Sequence, residues 1–578
     1  MARVSAMDAV GRIKVKLDYF AHGSMTTTTR LYVDSAHSIG RSHRRPNMEV
    51  LHQVLDAVIA ATTLSLRYSS VLFVRFYPIA RYWPRIYTTF AAYAFLALVQ
   101  LQLTRRHARI KRHPLLVILL GWVDVTRPLL SAVGALVNII CVVCAVDFVY
   151  RAHYLHQSHD LSFSRMGYTT STSASIVIRA PDSPVVEIDA RPDFAAPGGS
   201  TSVIIDGLSQ ETDWLGTATL DNLLPDTPYV YTTNASHVGS FRTPKQHPKQ
   251  WTMIQTSCIK PFYPYHPADH ALSIKGLEHL GRYLSNRTVE FMLFLGDFIY
   301  IDLPYPIGWT QRHYTDLYRQ TYASPSWTPA LRALPWLHVY DDHEFANDWS
   351  ANETGLYKAA VAPYWHYQGR ANPPSAASYY TFTRGEVAFF VLDTRRYRSP
   401  SEQPDGPRKT MLGAVQLARL REWLREEPRW KVVVSSVPWT RTWVSPDEAD
   451  RWAGYLHERE MIYEWMRETD GVLLLSGDRH EHTTTVFPPP SGKGKTLIEF
   501  STSALNQFHE PFDRFHVATN GDDHAVYNHY KGNSKFASIS FDTTDPMRWR
   551  VNFDLVVDGE KVWEYEWVYE KATSLRAD

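Results

Sequence analysis

Asp478, His480 and His482 stand at every second position of the stretch LLLSGDRHEH, residues 473–482. Leu473, Leu474 and Leu475 read as the end of a buried strand, which Ser476 and Gly477 then break. On an extended segment, residues two apart face the same way. Three ligand-type side chains would then leave one strand end on one side. Taken alone, the stretch fits a surface turn rich in Asp and His equally well. The rest of the chain repeats its design, however. Apolar runs lead into Ser257-Cys258, Gly296-Asp297 with Tyr300 three residues on, and Asp341-Asp342-His343-Glu344. Further runs lead into Asp393-Thr394-Arg395-Arg396 and Ser435-Ser436. Buried carboxylates this close together repel and raise one another's pKa unless a cation holds them. A dinuclear metal centre answers that problem, because two cations clamp both the attacking and the leaving oxygen of an in-line displacement at phosphorus. An Arg fork binds phosphate oxygens in bidentate fashion, so Arg395 or Arg396 is a candidate clamp. The alternative is a salt bridge to Asp393 that only orders the loop.

GDFIY, DDHE, LDTRRYR and SGDRHEH, in that order after SC and a β-rich segment, resemble the PhoD-type alkaline phosphatases and phosphodiesterases. These are a branch of the calcineurin-like metallophosphoesterases, and the resemblance covers about residues 165–575. It implies that Cys258 and Tyr300 bind an iron and that Asp297 bridges two metals. It also implies that Asp342 and Asp478 hold the second metal and His480 the first. His343 would protonate the leaving group or hold a phosphate oxygen. Asn347 would be an extra ligand or a helix cap. The implied cofactors are Fe³⁺ and Ca²⁺ in a dinuclear or larger centre, with other divalent metals open. Thiolate and phenolate suit a trivalent iron, and oxygen donors from Asp342 and Asp478 favour a hard cation. A metal-bound hydroxide would be the nucleophile. His482 is expected beside the ligands rather than among them, and Arg479 has no assigned role.

The elements that must position these groups follow from pattern. Strand-like runs alternate with helical patterns over residues 250–500, which predicts α/β layers with the site at the carboxyl ends of the strands. Residues 160–245 show short alternating runs between turn residues, which predicts an all-β sandwich. Within it, LLPDTPYVY, with Leu224, Pro225, Thr227 and Tyr229, looks like the tyrosine corner of fibronectin-type domains. Residues 530–567 read as a closing hairpin turning at Asp558-Gly559. Asn533 and Lys535 could reach substrate from that edge, although a lone Lys on a strand is ordinarily solvated. His509, His516, His524 and His529 are irregularly spaced and suggest a variable rim.

The chain also predicts a membrane anchor over residues 51–151. Residues 86–103 and 128–150 have the length and apolarity to span a bilayer. Residues 54–76 form a weaker third candidate, interrupted by Asp56, Arg67 and Arg75, which would otherwise lie on the membrane surface. Residues 115–123 are apolar but too short to span. The basic loop TRRHARIKRH, with Arg105, Arg106, Arg109, Lys111 and Arg112, is of the kind that stays in the cytoplasm. The catalytic part is then lumenal or extracellular, in the secretory pathway, a vacuole or at the cell surface. The sequons at Asn234, Asn286 and Asn352 are compatible with this.

Residues 1–50 read as a mostly disordered arm, with no apolar region for a cleaved signal peptide. Sixty Lys+Arg against 59 Asp+Glu leave no basic footprint, so nucleic-acid binding is not expected. Three cysteines exclude a disulfide framework, and Cys141-x-x-Cys144 lies in an apolar run as packing.

The expectation is an α/β protein: a metallophosphoesterase-type β-sandwich flanked by helices (250–578), an all-β fibronectin-like domain (160–245) and about three transmembrane helices. The expected function is a membrane-anchored, metal-dependent hydrolase of phosphomonoesters, phosphodiesters or both, with lipid- or glycan-linked phosphates among the candidate substrates. Two other classes stay open. One is a catalytically silent scaffold that keeps the fold. The other is a dinuclear hydrolase of non-phosphate esters or amides, against which the Arg395-Arg396 pair argues.

Overall fold

The computed structural model describes residues 48–106, 112–193, 199–426, 429–445, 448–490, 492, 494–513 and 515–571. The N-terminal arm up to residue 47, and Arg109 and Lys111 of the basic loop, lie outside them. The chain divides into two units, residues 1–57 and 58–578. Of the first, residues 48–57 are the opening turns of an apolar helix, Met48–Arg75.

Among the described residues, three helical segments are long and apolar enough to cross a membrane: Val50–Arg75, Tyr82–Arg105 and Pro128–Leu155. The charge that interrupts the first is answered internally. Arg67 Nε donates to Asn138 Oδ1 at 2.7 Å, and its terminal nitrogens donate to the carbonyls of Ile118, Leu119 and Gly134 at 3.0 Å. Intramembrane charges persist when they face the bundle interior and bind carbonyls in this way. The short apolar stretch forms the seven-residue helix Pro114–Leu120, stopped at Gly121.

Seven strands follow in two antiparallel sheets. One contains Phe163–Thr169, Ala174–Arg179 and Leu215–Leu220; the other contains Thr201–Ile205, Val186–Pro192, Pro228–Thr233 and Val238–Arg242. Strict alternation along Val186–Pro192 turns Val186, Ile188 and Ala190 inward. Tyr229 closes the corner anticipated for it, its hydroxyl accepting the Leu224 N–H at 2.8 Å.

The remaining chain builds two larger sheets. The six-stranded one runs Trp336–Val339, Phe291–Leu295, Gln250–Thr256, Lys535–Asp542, Arg548–Val557 and Glu560–Glu570. The eight-stranded one is centred on four parallel strands, Val387–Val391, Trp430–Val434, Val472–Ser476 and Leu497–Thr502. A shared apolar core, including Leu293, Leu295, Val432, Leu473, Leu475 and Phe553, lies between the sheets. Helices cover both outer faces. Gln311–Tyr322 and Tyr357–Tyr367 pack on the first sheet, and Gly413–Arg425 and Leu456–Glu468 on the second. The central strands are therefore buried on both faces, which is why they read as continuous apolar runs.

The membrane-type helices meet this body at one end. The Tyr263 hydroxyl donates to Arg75 O at 2.7 Å, and Arg75 Nη1 donates to Tyr265 O at 3.1 Å. The Tyr265 hydroxyl donates to Asp147 Oδ2 at 2.9 Å, and Arg151 binds that same carboxylate as well as the carbonyls of Pro267 and Asp269. Arg75, Tyr82 and Leu155 are thus at the catalytic end of their helices. Arg106 and Pro128 are at the far end.

Candidate metal centre

Each candidate ligand comes from a turn that follows a parallel strand. Phe291–Leu295 delivers Gly296-Asp297, Gln250–Thr256 delivers Ser257-Cys258, Trp336–Val339 delivers Asp341-Asp342-His343, and Val472–Ser476 delivers Asp478 and His480. The turns are tight. Cys258, Asp297, Asp478 and His480 all have left-handed backbone, with φ of 64°, 58°, 78° and 58°. Such non-glycine positions cost on the order of 1–3 kcal/mol each and gather at functional sites, where the surroundings over-determine them. This corrects the expected extended geometry. Asp478 and His480 converge because the chain coils between two strands, not because side chains alternate. Gly296, at φ 95°, lets the two turns touch; a Cβ there would lie 2.5 Å from Asp341 Cβ.

The donor atoms form contiguous groups. Ligand atoms of Cys258, Asp297 and His480 lie within 4.8 Å of one another, and so do those of Asp297, Asp342 and His343, and of Asp297, Asp341 and Asp478. Asp297 is common to all three. Its Oδ2 is 3.2 Å from Cys258 Sγ and 3.0 Å from the Tyr300 hydroxyl, which is 3.1 Å from His480 Nε2. His343 N–H donates to Asp297 Oδ1 at 3.3 Å.

Buried groups around the cluster fix its geometry. Glu344 accepts the N–H groups of Asp297, Phe298 and Asp341 at 2.7–2.9 Å. Asp302 Oδ1 lies 2.6 Å from His343 Nδ1, and the His343 ring stacks near Tyr300 with centroids 4.2 Å apart. Lys535 is buried, and its Nζ donates to the carbonyl of His480 at 2.9 Å. The solvated lysine expected from the sequence is instead a brace behind a ligand. Asp341, Asp302 and Glu344 were not assigned roles from sequence. Doubled carboxylates in DDHE were the available signal for Asp341; Asp302 and Glu344 show no spacing that separates them from surface acids.

The electrostatics call for a cation. Burial pushes the Asp297 carboxyl well above the usual range; His343 opposes this while Asp342, Asp341 and Glu344 add repulsion. Burial likewise raises Asp478, takes Asp341 to about 6 and takes Glu344 to about 7. The Cys258 thiol and Tyr300 phenol are raised by burial, with the Asp297 charge beside both. His343 is held well above the ordinary imidazole value: burial opposes its charge, but Asp302, Asp342 and Asp297 outweigh burial. His480 is pushed down by burial and by Arg479. Asp341 Oδ2 and Asp342 Oδ1 are buried with no hydrogen-bond partner. Anionic donors that outnumber the cations beside them, with two buried carboxylate oxygens lacking a hydrogen bond, fit a pair of metal ions.

Arg395 does not fit the phosphate clamp expected of it. It is fully buried, with Nε on Asp341 Oδ1 at 2.5 Å and both terminal nitrogens on Asp450 at 2.7 and 2.8 Å. No donor is left facing solvent, so it orders the carboxylate turn, with Asp341 and Asp450 as partners where Asp393 was expected. Arg396 is partly exposed and pairs with Glu353 at 2.5 Å. Asn347 is exposed and its N–H donates to Asp302 Oδ2 at 3.0 Å. No helix starts there, so the cap expectation fails. His482 opens the strand His482–Phe487 with both ring nitrogens on threonine hydroxyls, at 2.9 and 3.1 Å.

Two stacked sheets with helices on both outer faces are a fold that this chain shares with solved structures. The structure of PhoD superimposes with a TM-score of 0.57 at 19% identity, covering 71% of this chain and 90% of that one. A purple acid phosphatase from yellow lupin (Lupinus luteus) seeds gives 0.50 at 12% identity, covering 70% of this chain and 73% of that one. Residues 274–544 match the family model for PhoD-like phosphatase. Alkaline phosphatase D of Bacillus subtilis (strain 168) is 25% identical over 319 residues, which is 45% of this chain and 52% of the relative. The chain thus spans about half the length of that curated relative.

Proposed function

We propose that the protein is a membrane-anchored, metal-dependent phosphoesterase. The observation that carries this reading is the convergence of Cys258, Tyr300, Asp342, Asp478 and His480, from four strand ends, around one carboxylate, Asp297. Cys258, Tyr300 and His480 would hold one cation, Asp342 and Asp478 the other, and Asp297 both; Asp341 Oδ2 is a further donor. Anionic sulfur and phenolate favour a trivalent iron, and the carboxylates favour a hard divalent ion such as calcium. Bound there, the metal pair supplies Lewis acidity and lowers the pKa of an attacking water.

The chain's own groups do the rest. His343, with Nδ1 held by Asp302, presents its other nitrogen to the leaving oxygen and delivers a proton to it. Arg396 would meet a phosphate oxygen by exchanging its exposed Glu353 partner. Lys535 holds the His480 turn in place. We further read the two sheets of residues 163–242 as a fibronectin-type spacer. We read the three apolar helices as spans that leave the catalytic body on the lumenal or extracellular side.

Metal analysis of the full chain in detergent, with hydrolysis of p-nitrophenyl phosphate and bis-p-nitrophenyl phosphate, tests this. Near-stoichiometric iron and calcium with turnover lost in Asp297→Ala is the expected result. Folded protein with neither metal nor turnover after both metals are supplied would favour a silent scaffold.

A further inference from the structure

A cleft beside Tyr300 is not used by the reading above. Its walls include Phe148, Val149 and Ala152, from the last turns of the helix Pro128–Leu155, and Leu303 and Leu317 of the catalytic body. It encloses a cavity of about 70 Å³ and opens to solvent. Tyr300 forms one wall, and the hydroxyl of the same residue sits 3.0 Å from Asp297 Oδ2. Leu303 also packs on the Cys258–Tyr300 cluster. Tyr300 thus lies between the two, lining the cleft beside the end of a helix apolar enough to span a bilayer and placing its hydroxyl at the candidate metal centre.

A second line of contacts joins the same two places. Phe508 packs edge-on against His480, with centroids 4.7 Å apart, and against Tyr77 at 5.7 Å. Tyr77 lies in the turn between the first two membrane-type helices. The rim of the site and the membrane end of the bundle are continuous.

A small water-soluble phosphate has no use for such a wall. Pockets lined by apolar groups, with a few polar ones at one end, take ligands with an apolar body and a polar head. A hydrocarbon chain fits here, because it would enter beside the helix end from the bilayer while its phosphate lies at the metal cluster. Lys260 lines the same cleft, its Nζ donating to Pro261 O at 3.2 Å and lying over the Phe148 ring of the helix end.

We propose that this cleft is a tail channel, and that the substrate is a lipid phosphate ester whose hydrocarbon chain lies against the end of the helix Pro128–Leu155. The inference rests on the phosphoesterase reading. The test uses the full chain in nanodiscs and water-soluble probes below their micelle concentrations. These are butyl, hexyl, octyl and decyl phosphate, and the p-nitrophenyl diesters of the same alcohols. The expected result is a kcat/KM that rises by about tenfold per added pair of methylenes, then levels off when the chain outgrows the cleft. In Ala152→Trp the decyl-to-butyl ratio should collapse at least tenfold. If that variant fails to fold, the wild-type series still decides. Turnover of every probe with no dependence on chain length overturns the tail channel and leaves the enzyme reading intact. No turnover of any probe, with metal bound, overturns the enzyme reading itself.

Discussion

Asp302 Oδ1 lies 2.6 Å from His343 Nδ1, while its other oxygen accepts the Asn347 N–H at 3.0 Å. The carboxylate is held on both oxygens, so it fixes the imidazole ring and the nitrogen that faces the cluster. Burial works against the Asp302 charge, yet the His343 cation and these hydrogen bonds keep the carboxyl below its usual range. Asp302→Asn should therefore lower kcat by about 100-fold, within the range contributed by a positioned general acid. KM and metal content should stay close to wild type. Steady-state kinetics with a phosphomonoester, read beside metal analysis, checks this. An unchanged kcat would remove His343 from proton transfer.

The two neighbouring arginines should separate cleanly. Arg395 binds Asp341 and Asp450 with no exposure, so Arg395→Ala strips Asp341 of its cation while Asp450 keeps Arg398, and should cost about 3 kcal/mol. Arg396 pairs at the surface with Glu353, and its loss should change stability by less than about 1 kcal/mol. Arg396→Ala should instead raise KM for a phosphate ester with kcat little changed. Thermal unfolding and kinetics on both variants give the four numbers needed.

Those arginines also mark where the sequence stopped being legible. The strand ends could be read because strands buried on both faces are continuous apolar runs, as in Phe291–Leu295 and Val472–Ser476. Each run ends abruptly in the residues that bear chemistry. What each side chain meets there depends on partners far away in sequence. Arg395 is taken by Asp450, 55 residues on, which has no local signature. Lys535 reads as an ordinary strand lysine, and only the closure of the hairpin brings it behind His480. Arg67 made the first apolar segment look surface-bound, because its carbonyl partners belong to a later helix turn. Local pattern located the cluster. Long-range pairing decided which of its charges are free to work.

Removing the cations should destabilise the fold as well as abolish turnover. Asp297, Asp341, Asp342 and Asp478 would then face one another in a buried site where Asp341 Oδ2 and Asp342 Oδ1 have no donors. Ligands that bind only the native state stabilise it by about 2.7 kcal/mol at a hundredfold excess over Kd. Chelation should lower the melting temperature by several degrees, and iron with calcium should restore it. In Cys258→Ala the iron should be lost preferentially, with calcium retained. Equal loss of both metals would argue against separate donor sets.

The last prediction concerns the joint between the small sandwich and the catalytic body. Asp213 binds Arg179 of the sandwich at 2.9 Å and Arg319 of the helix Gln311–Tyr322 at 2.7 Å, and accepts the Tyr367 hydroxyl. Its side chain is 12% exposed, so solvent screens the knot weakly. Burial raises the Asp213 carboxyl, but the two guanidinium groups outweigh it and the net shift is downward. A carboxylate with a depressed folded pKa contributes stability that is fully present above its unfolded value of about 3.9 and is lost as pH falls through the lower folded value. Asp213→Asn should cost about 3 kcal/mol at neutral pH, because it takes the carboxylate from buried Arg179 and leaves Arg319 with Asp316 alone. The gap between variant and wild type should then narrow below about pH 4, as the wild-type carboxylate is protonated. Melting temperatures of both proteins from neutral pH to about pH 3 test the sign. A gap that stays constant over that range would mean that the charge of Asp213 does not hold the joint.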